Sequence, residues 1–365
     1  MLKWIYDLSY EELEKDIAHL YLPRFVADQV CRWLYEKNIN DIACWSNISK
    51  KNRETLSQTY DIRLNKVLEV QADREGNRKY LIELKDKYKI EAVLIKEKKH
   101  FTMCISTQVG CALKCKFCAT GRMGFKRNLS SGEILSQALL LKKDAAENSA
   151  PGQKEKINIV FMGMGEPLLN YENLSRALQL ITSEKGIGIS PRNITVSTAG
   201  ILDGIKRLEK DFPRLKLSFS LNAPAAALRE ELMPISKKEK LDDILAYFRH
   251  TPRKHRVTFE YVLIKGVNDS LQDAEKTAAL LRGIPCKINL IPYNPGGSGV
   301  NLESKVLLAA KRLNAPPREW GFETPAEPEV EAFCEYLHSR GYTVIIRWSK
   351  GREIKSACGQ LATEI

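Results

Sequence analysis

Between residues 101 and 295, short apolar runs alternate with segments of helical periodicity, and this alternation limits what the chain can fold into more than any other feature. The apolar runs are Phe101–Ile105, Ile157–Phe161, Asn193–Val196, Lys216–Leu221, Val257–Leu263 and Lys287–Ile291. Helices are expected to begin near Ser131, Tyr171, Ile201, Lys240 and Ser270. Strands separated by helices run parallel, because the chain must cross back before it re-enters the sheet. Six such units suit an open partial barrel better than a closed eightfold one, so the expected fold is α/β, a partial (β/α)6 barrel over residues 101–295. Ligands of such a sheet gather at the carboxyl ends of the strands.

Residues 1–75 read as a small helical domain. Ser9-Tyr10-Glu11-Glu12 is a capping-box pattern opening a helix from Glu11 to Leu20, and Phe25, Val26, Val30, Trp33 and Leu34 recur at helical spacing. From Lys79 the period becomes two. Tyr80, Ile82 and Leu84 alternate with polar residues, and Lys85-Asp86-Lys87 turns the chain into Ile90–Ile95, giving a β-hairpin connector over residues 76–100. Glu91 lies in its second strand between Ile90 and Ala92, where a surface glutamate opposite a lysine is the default reading. Residues 296–365 form a C-terminal extension: an insertion from Gly296 to Trp320, with a helix expected over Glu303–Leu313, and a tail carrying Cys358.

The 57 Lys and Arg against 45 Asp and Glu give a net charge of +12, a surplus that favours a polyanionic partner. No apolar leader and no apolar run of about 18 residues is visible, so neither export nor membrane insertion is expected and the cytoplasm is the expected compartment. Nine cysteines are an odd number and no disulfide framework in a reducing compartment. Cys31, Cys44, Cys286 and Cys334 stand among apolar neighbours and read as small buried hydrophobes.

Cys111, Cys115 and Cys118 are different, because a Cys-x3-Cys-x2-Cys spacing brings three soft ligands to one centre. Such ligands select an iron–sulfur cluster, zinc or Cu(I). Structural zinc takes four protein ligands, whereas a four-iron cluster held by three cysteines keeps one iron open for substrate. Phe117 before the last cysteine and Ala119-Thr120-Gly121 after it fit a tight loop over a cluster. After the strand ending at Phe161 comes Met162-Gly163-Met164-Gly165-Glu166-Pro167, where glycine lets the backbone approach a ligand and a carboxylate suits an ammonium group. Later strands end in Ser197-Thr198-Ala199-Gly200, Ser220-Leu221-Asn222-Ala223-Pro224 and Pro292-Tyr293-Asn294-Pro295. Those hydroxyls and amides suit a polar cofactor, and taken singly they suit helix caps and turns equally.

Cys-x3-Cys-x-aromatic-Cys resembles the signature of radical S-adenosylmethionine (SAM) enzymes. Gln108-Val109-Gly110-Cys111, together with Ala357-Cys358-Gly359-Gln360-Leu361, resembles one branch, the RlmN/Cfr family of RNA adenine methyltransferases, over the stretch from about Glu91 onward. The resemblance implies a 4Fe-4S cluster on Cys111, Cys115 and Cys118, with SAM on the open iron and contacts from Gly165, Glu166, Ser197, Ser220, Leu221, Asn222 and Asn294. The family usually has His at the position of Asn222, and an amide cannot titrate near neutrality. By the same resemblance Cys358 carries a methyl group from a first SAM, a second SAM generates the radical that joins it to the base, Glu91 removes the ring proton, and Cys104 attacks the Cys358 sulfur to leave a transient disulfide. Without the family, Cys104 reads as a core cysteine or a fourth cluster ligand.

Arg340, Arg347, Lys350, Arg352 and Lys355, with Tyr342 and Trp348 among them, suit phosphate contacts and base stacking as well as they suit a solvated charge run. A flipped-out adenine in single-stranded or loop RNA is the expected target. The expected activity is methylation of carbon 2 of adenine in large-subunit (23S) rRNA and in tRNA, by a monomer served by an electron donor such as a flavodoxin. Cfr-like methylation of carbon 8, a radical SAM enzyme with a non-RNA substrate, and a zinc-binding RNA module are the alternatives.

Overall fold

The computed structural model describes residues 2–149, 156–295 and 321–363; the insertion at 296–320 and its expected helix lie outside them. Short strand β1 (Lys3–Trp4) opens a helical region of α1 (Tyr10–His19), α2 (Phe25–Cys31) and α3 (Lys50–Thr59), which closes where β2 (Tyr60–Asp61) pairs in parallel with β1. The expected capping box opens α1: Ser9 Oγ accepts from Glu12 N at 3.2 Å and Glu12 Oε2 accepts from Ser9 N at 2.8 Å. Trp33, Leu34 and Tyr35 are buried, whereas Phe25, placed in the same apolar pattern, is exposed at the first turn of α2.

β3 (Lys66–Ala72), β4 (Arg78–Glu83) and β5 (Lys89–Lys96) form an antiparallel meander whose last strand pairs with β6 (Phe101–Cys104). The hairpin expected from the sequence is β4 and β5. β3 escaped the sequence because it is an edge strand, mostly exposed and bulged between Val67 and Glu69, so its side chains do not alternate between core and water. Next, β7 (Gln108–Gly110) and β8 (Phe125–Asn128) pair antiparallel around a loop that contains the one-turn helix α4 (Ala119–Arg122).

From there helix and strand alternate: α5 (Ser131–Glu147), β9 (Ile157–Phe161), α6 (Tyr171–Thr182), β10 (Ile194–Thr198), α7 (Leu202–Asp211), β11 (Lys216–Ser220), α8 (Ala226–Leu232), α9 (Leu241–His250), β12 (Val257–Leu263), α10 (Leu271–Leu280), β13 (Cys286–Pro292), α11 (Glu327–Ser339) and β14 (Thr343–Ile346). The ten-stranded sheet has the order β14-β13-β12-β11-β10-β9-β6-β5-β4-β3. β6 and β9 to β13 are the six expected parallel strands, and β14 extends the parallel block by one beyond them.

Register divides this sheet into two chemically distinct faces. Phe161, Val196, Phe219, Phe259, Ile288 and Leu290 fall on the face covered by helices and are buried, with Phe219, Phe248 and Phe259 packed edge to face at 5.6–5.8 Å. The other face pairs Ser197 with Ser218, Ser220 with Glu260, and Glu260 with Asn289. A barrel interior lined this way is built to hold polar groups.

Candidate active site

The cysteine loop hangs from the β7–β8 pair. Cys111 N donates to Gly124 O at 2.8 Å, and Gly110 has φ +72° with its missing Cβ aimed at that same carbonyl, so only glycine closes the loop. Cys111, Cys115 and Cys118 all line one cavity at the strand ends. Leu113, Ala199, Ala223, Leu232, Met233, Ile264 and Tyr293 make its surroundings apolar. Burial in that setting pushes the Cys111 thiol up to about 12 and the Cys115 thiol well above its ordinary value, with the neighbouring thiols adding to the effect. Among the described residues no three His, Cys, Asp or Glu side chains close on a single ion. Three thiols facing one cavity from one loop suit a cluster, because each cysteine then takes a different iron and the sulfurs stand apart.

The strand ends supply the rest of the lining: Gly165 and Glu166 after β9, Ser197 on β10, Ser220 on β11, Asn222 beyond it, and Asn294 after β13. Gly165 has φ +98° and leaves no room for a Cβ beside Gln108, whose Oε1 accepts from Glu166 N at 2.9 Å. Glu166 accepts from Leu168 N at 3.1 Å and Ala199 N at 2.8 Å, and burial raises its carboxyl to about 7 against those bonds. Asn222 adopts φ +57°, which asparagine tolerates, and its Oδ1 accepts from Val262 N at 2.9 Å. The amide therefore ties the turn after β11 to the neighbouring strand β12. Leu221 is buried and, unlike the other expected SAM contacts, does not line the cavity.

Three residues went unnoticed in the sequence. Arg229, fully buried on α8, donates to Leu221 O at 3.1 Å, Ala199 O at 2.7 Å, Ser220 O at 2.9 Å and Ser236 Oγ at 2.6 Å, locking two strand ends together, and burial lowers its guanidinium to about 10. Glu260 lines the cavity floor, where Oε1 accepts from Ser218 Oγ and Asn289 Nδ2 at 3.0 Å each, while Oε2 is buried without a partner among the described residues. Lys79 sits 2.9 Å from Glu91. An arginine in a helix and charges at single strand positions carry no spacing signal, so nothing in the sequence separated them from surface charges.

The tail returns over the cysteine loop. Ala119 N donates to Gly359 O at 2.8 Å, Thr120 Oγ1 to Leu361 O at 2.6 Å, Ala362 N to Glu91 Oε2 at 2.9 Å and Thr363 Oγ1 to Lys89 O at 3.1 Å. These bonds expose Cys358 into the cavity beside the cysteine loop. Asn294 spends its amide on the same segment, donating to Ser349 Oγ at 2.8 Å and Cys358 O at 3.3 Å and accepting from Arg352 Nε at 3.1 Å. Glu91 and Cys104 lie behind the tail, both buried and outside the cavity wall. Burial pushes the Cys104 thiol up to about 12, and the nearby Cys358 sulfur pushes it the same way.

Of the tail's basic residues, Lys350 pairs with Glu97 at 2.9 Å and Arg340 lies over Tyr336, while Trp348 is exposed. Cys104 and Cys358 are free thiols, as are the other seven cysteines. Cys44 corrects one expectation. It is exposed on a 3-10 turn with its sulfur 3.6 Å from Asp41 Oδ2, because the turn directs it to solvent; Cys31, Cys286 and Cys334 are buried as expected.

A parallel sheet with three cysteines in the loop after its first parallel strand and a Gly-Glu-Pro turn after its second defines the radical SAM class. The Radical SAM superfamily profile matches residues 105–281, and that of the ribosomal RNA large subunit methyltransferase N-terminal domain matches residues 1–62. Proteins named dual-specificity RNA methyltransferase RlmN from Syntrophus aciditrophicus and from a Nitratiruptor species are 42% and 38% identical, over 98% and 99% of this chain and 96% and 98% of theirs. A crystal structure of a radical SAM methyltransferase from Sphaerobacter thermophilus superposes with a TM-score of 0.88 at 36% identity, covering 98% of this chain and 99% of that one. The chain belongs to the RlmN family of dual-specificity RNA methyltransferases.

Proposed function

We propose that this protein methylates carbon 2 of adenine in large-subunit rRNA and in tRNA, with Cys358 as the carrier of the methyl group. The observation that carries the reading is the docking of the tail: four hydrogen bonds bring Cys358 to the cavity that the three loop cysteines line. A ring carbon between two nitrogens is electron-poor and resists methylation by ordinary displacement, so the reaction calls for radical chemistry. A 4Fe-4S cluster on Cys111, Cys115 and Cys118, with SAM, supplies that chemistry when bound.

The chain's own residues do the rest. Glu166 receives the ammonium of SAM, and Ser197 and Ser220, whose hydroxyls have no hydrogen-bond partner among the described residues, offer it polar contacts from the cavity wall. Cys358 presents the methyl group to the base. Glu91 takes the ring proton from the adduct, and Cys104 attacks the Cys358 sulfur to release the RNA. The apolar wall around the loop keeps water from the reacting atoms.

The helical region that closes at β2, shorter than the 1–75 expected because β3 belongs to the sheet, and the exposed Trp348 contribute to holding RNA. A cytoplasmic monomer served by a flavodoxin-like electron donor completes the reading. Among the described residues no helix is long and apolar enough to cross a membrane.

Nucleoside mass spectrometry tests the product. The rRNA and tRNA of cells carrying the intact gene should contain 2-methyladenosine that cells carrying Cys358→Ala lack. Finding 8-methyladenosine in its place would move the reaction to the other ring carbon, and finding neither would remove the RNA claim.

A further inference from the structure

Glu91 is held by an ion pair that none of the chemistry above uses. In the antiparallel pairing of β4 with β5, Leu81 stands opposite Glu91 and Lys79 opposite Val93, so Lys79 and Glu91 are diagonal neighbours on one face. Lys79 Nζ lies 2.9 Å from Glu91 Oε1, and only 9% of Lys79 and 4% of Glu91 is exposed. Among the described residues Glu91 is the sole hydrogen-bond or ion-pair partner of that ammonium.

The other carboxylate oxygen faces the tail, where Oε2 accepts from Ala362 N at 2.9 Å, four residues beyond Cys358. The backbone of Glu91 is fixed as well, with its carbonyl accepting from Ser106 Oγ at 2.6 Å and its N–H 3.3 Å from Met164 Sδ. A buried ion pair is a poor way to stabilise a sheet, since an apolar pair of similar volume does as well or better. Fold stability therefore does not account for Lys79.

We propose that Lys79 is the positioning residue for the Glu91 base: it pins Oε1 to the sheet, and Oε2 is the oxygen that exchanges the tail's Ala362 N–H for the proton of the target ring carbon. The inference rests on Glu91 being the base. In the step concerned, one proton passes from the ring carbon of the protein–RNA adduct to Oε2, and the C–H electron pair stays with the adduct.

Burial raises the Glu91 carboxyl above its ordinary range, and Lys79 followed by the Ala362 N–H pulls it back. Among the described residues Glu69, on β3, also acts on it and raises it, the least of these effects; Ser106, Met164 and β6 present neutral groups. Without Lys79 a buried carboxylate has no cation, so it stays protonated to a higher pH and cannot accept the ring proton below it.

The test follows the covalent adduct on denaturing gels, using cluster-loaded enzyme, SAM, a reductant and a labelled large-subunit rRNA fragment across a pH series. Lys79→Met should shift the acidic limb of adduct decay upward by about one pH unit or more and regain the wild-type rate at high pH. Lys79→Arg should keep the limb near wild type, and Glu91→Gln should arrest the adduct at every pH. A Lys79→Met limb that coincides with wild type, while Glu91→Gln still arrests the adduct, overturns the role of Lys79 alone. Decay of the Glu91→Gln adduct at the wild-type rate overturns the base assignment and the role of Lys79 with it. Should Lys79→Met fail to fold, Lys79→Gln carries the same comparison.

Discussion

The cysteine loop and the tail meet at one cavity, yet they are held there in opposite ways. The loop is closed by its own neighbourhood: β7 and β8 pair beneath it, Cys111 N reaches Gly124 O, and Cys118 N donates to Cys115 O at 3.2 Å. The tail is held by partners far off in sequence, with separations of 241 residues for Thr120 to Leu361 and 271 for Glu91 to Ala362. Each such bond contributes about 1 kcal/mol net, so a few of them dock a segment that can also leave. A fixed cluster loop and a detachable tail are what a site needs if RNA must enter between them.

Breaking the fixed side should have the largest effect. Gly110→Ala places a Cβ on Gly124 O at φ +72°, and left-handed backbone alone costs about 1–2 kcal/mol. Iron bound per chain should fall at least about tenfold, as measured by iron and sulfide analysis after reconstitution, with activity lost in proportion.

The detachable side should respond differently. Thr120→Val removes the bond to Leu361 O and leaves iron content and melting temperature near wild type. Turnover should fall about fivefold, the cost of roughly 1 kcal/mol in docking. An equal loss of iron in both variants would erase the distinction between the two regions.

A smaller effect concerns Glu166, which lines the cavity on the fixed side and in the proposed reaction receives the ammonium of SAM. With the carboxyl raised to about 7, the group is mostly protonated below that pH and must lose its proton to pair with the ammonium of SAM. Affinity for SAM should therefore rise as pH increases, by up to about tenfold per unit below 7, and level off above it. Calorimetry should detect proton release on binding at pH 6, and Glu166→Gln should abolish the pH dependence.

The smallest effect is expected at Asn222, where Asn222→His forfeits the bond to Val262 N in a left-handed turn and should lower stability by about 1–2 kcal/mol in denaturant titration. A more stable and more active histidine variant would mean that asparagine here is a defect, not a turn former.

The same contrast governs what the sequence discloses. The loop was legible because local spacing fixes it, and the parallel strands were legible because short runs such as Val257–Leu263 place Val257, Phe259, Tyr261 and Leu263 in the core at every second position. Cys358 was visible as a motif, but its docking was not, since no local pattern connects Leu361 to Thr120 or Ala362 to Glu91. Lys79 and Arg229 were illegible for a similar reason: their partners are a diagonal strand neighbour and the carbonyls at two strand ends, which only the folded chain brings together. Glu166 was found as a candidate ligand for ammonium, while its bonds to Ala199 and Leu168 N–H groups came only with the fold.

In the proposed reaction the docked tail makes Cys358 the methyl carrier. Peptide mass spectrometry of the cluster-loaded enzyme, incubated with SAM carrying a deuterated methyl group and no RNA, tests it directly. One labelled methyl group is expected on the peptide containing Cys358 and none on the peptide containing Cys104. Label on Cys104, or on neither cysteine in protein that retains its iron, would contradict it.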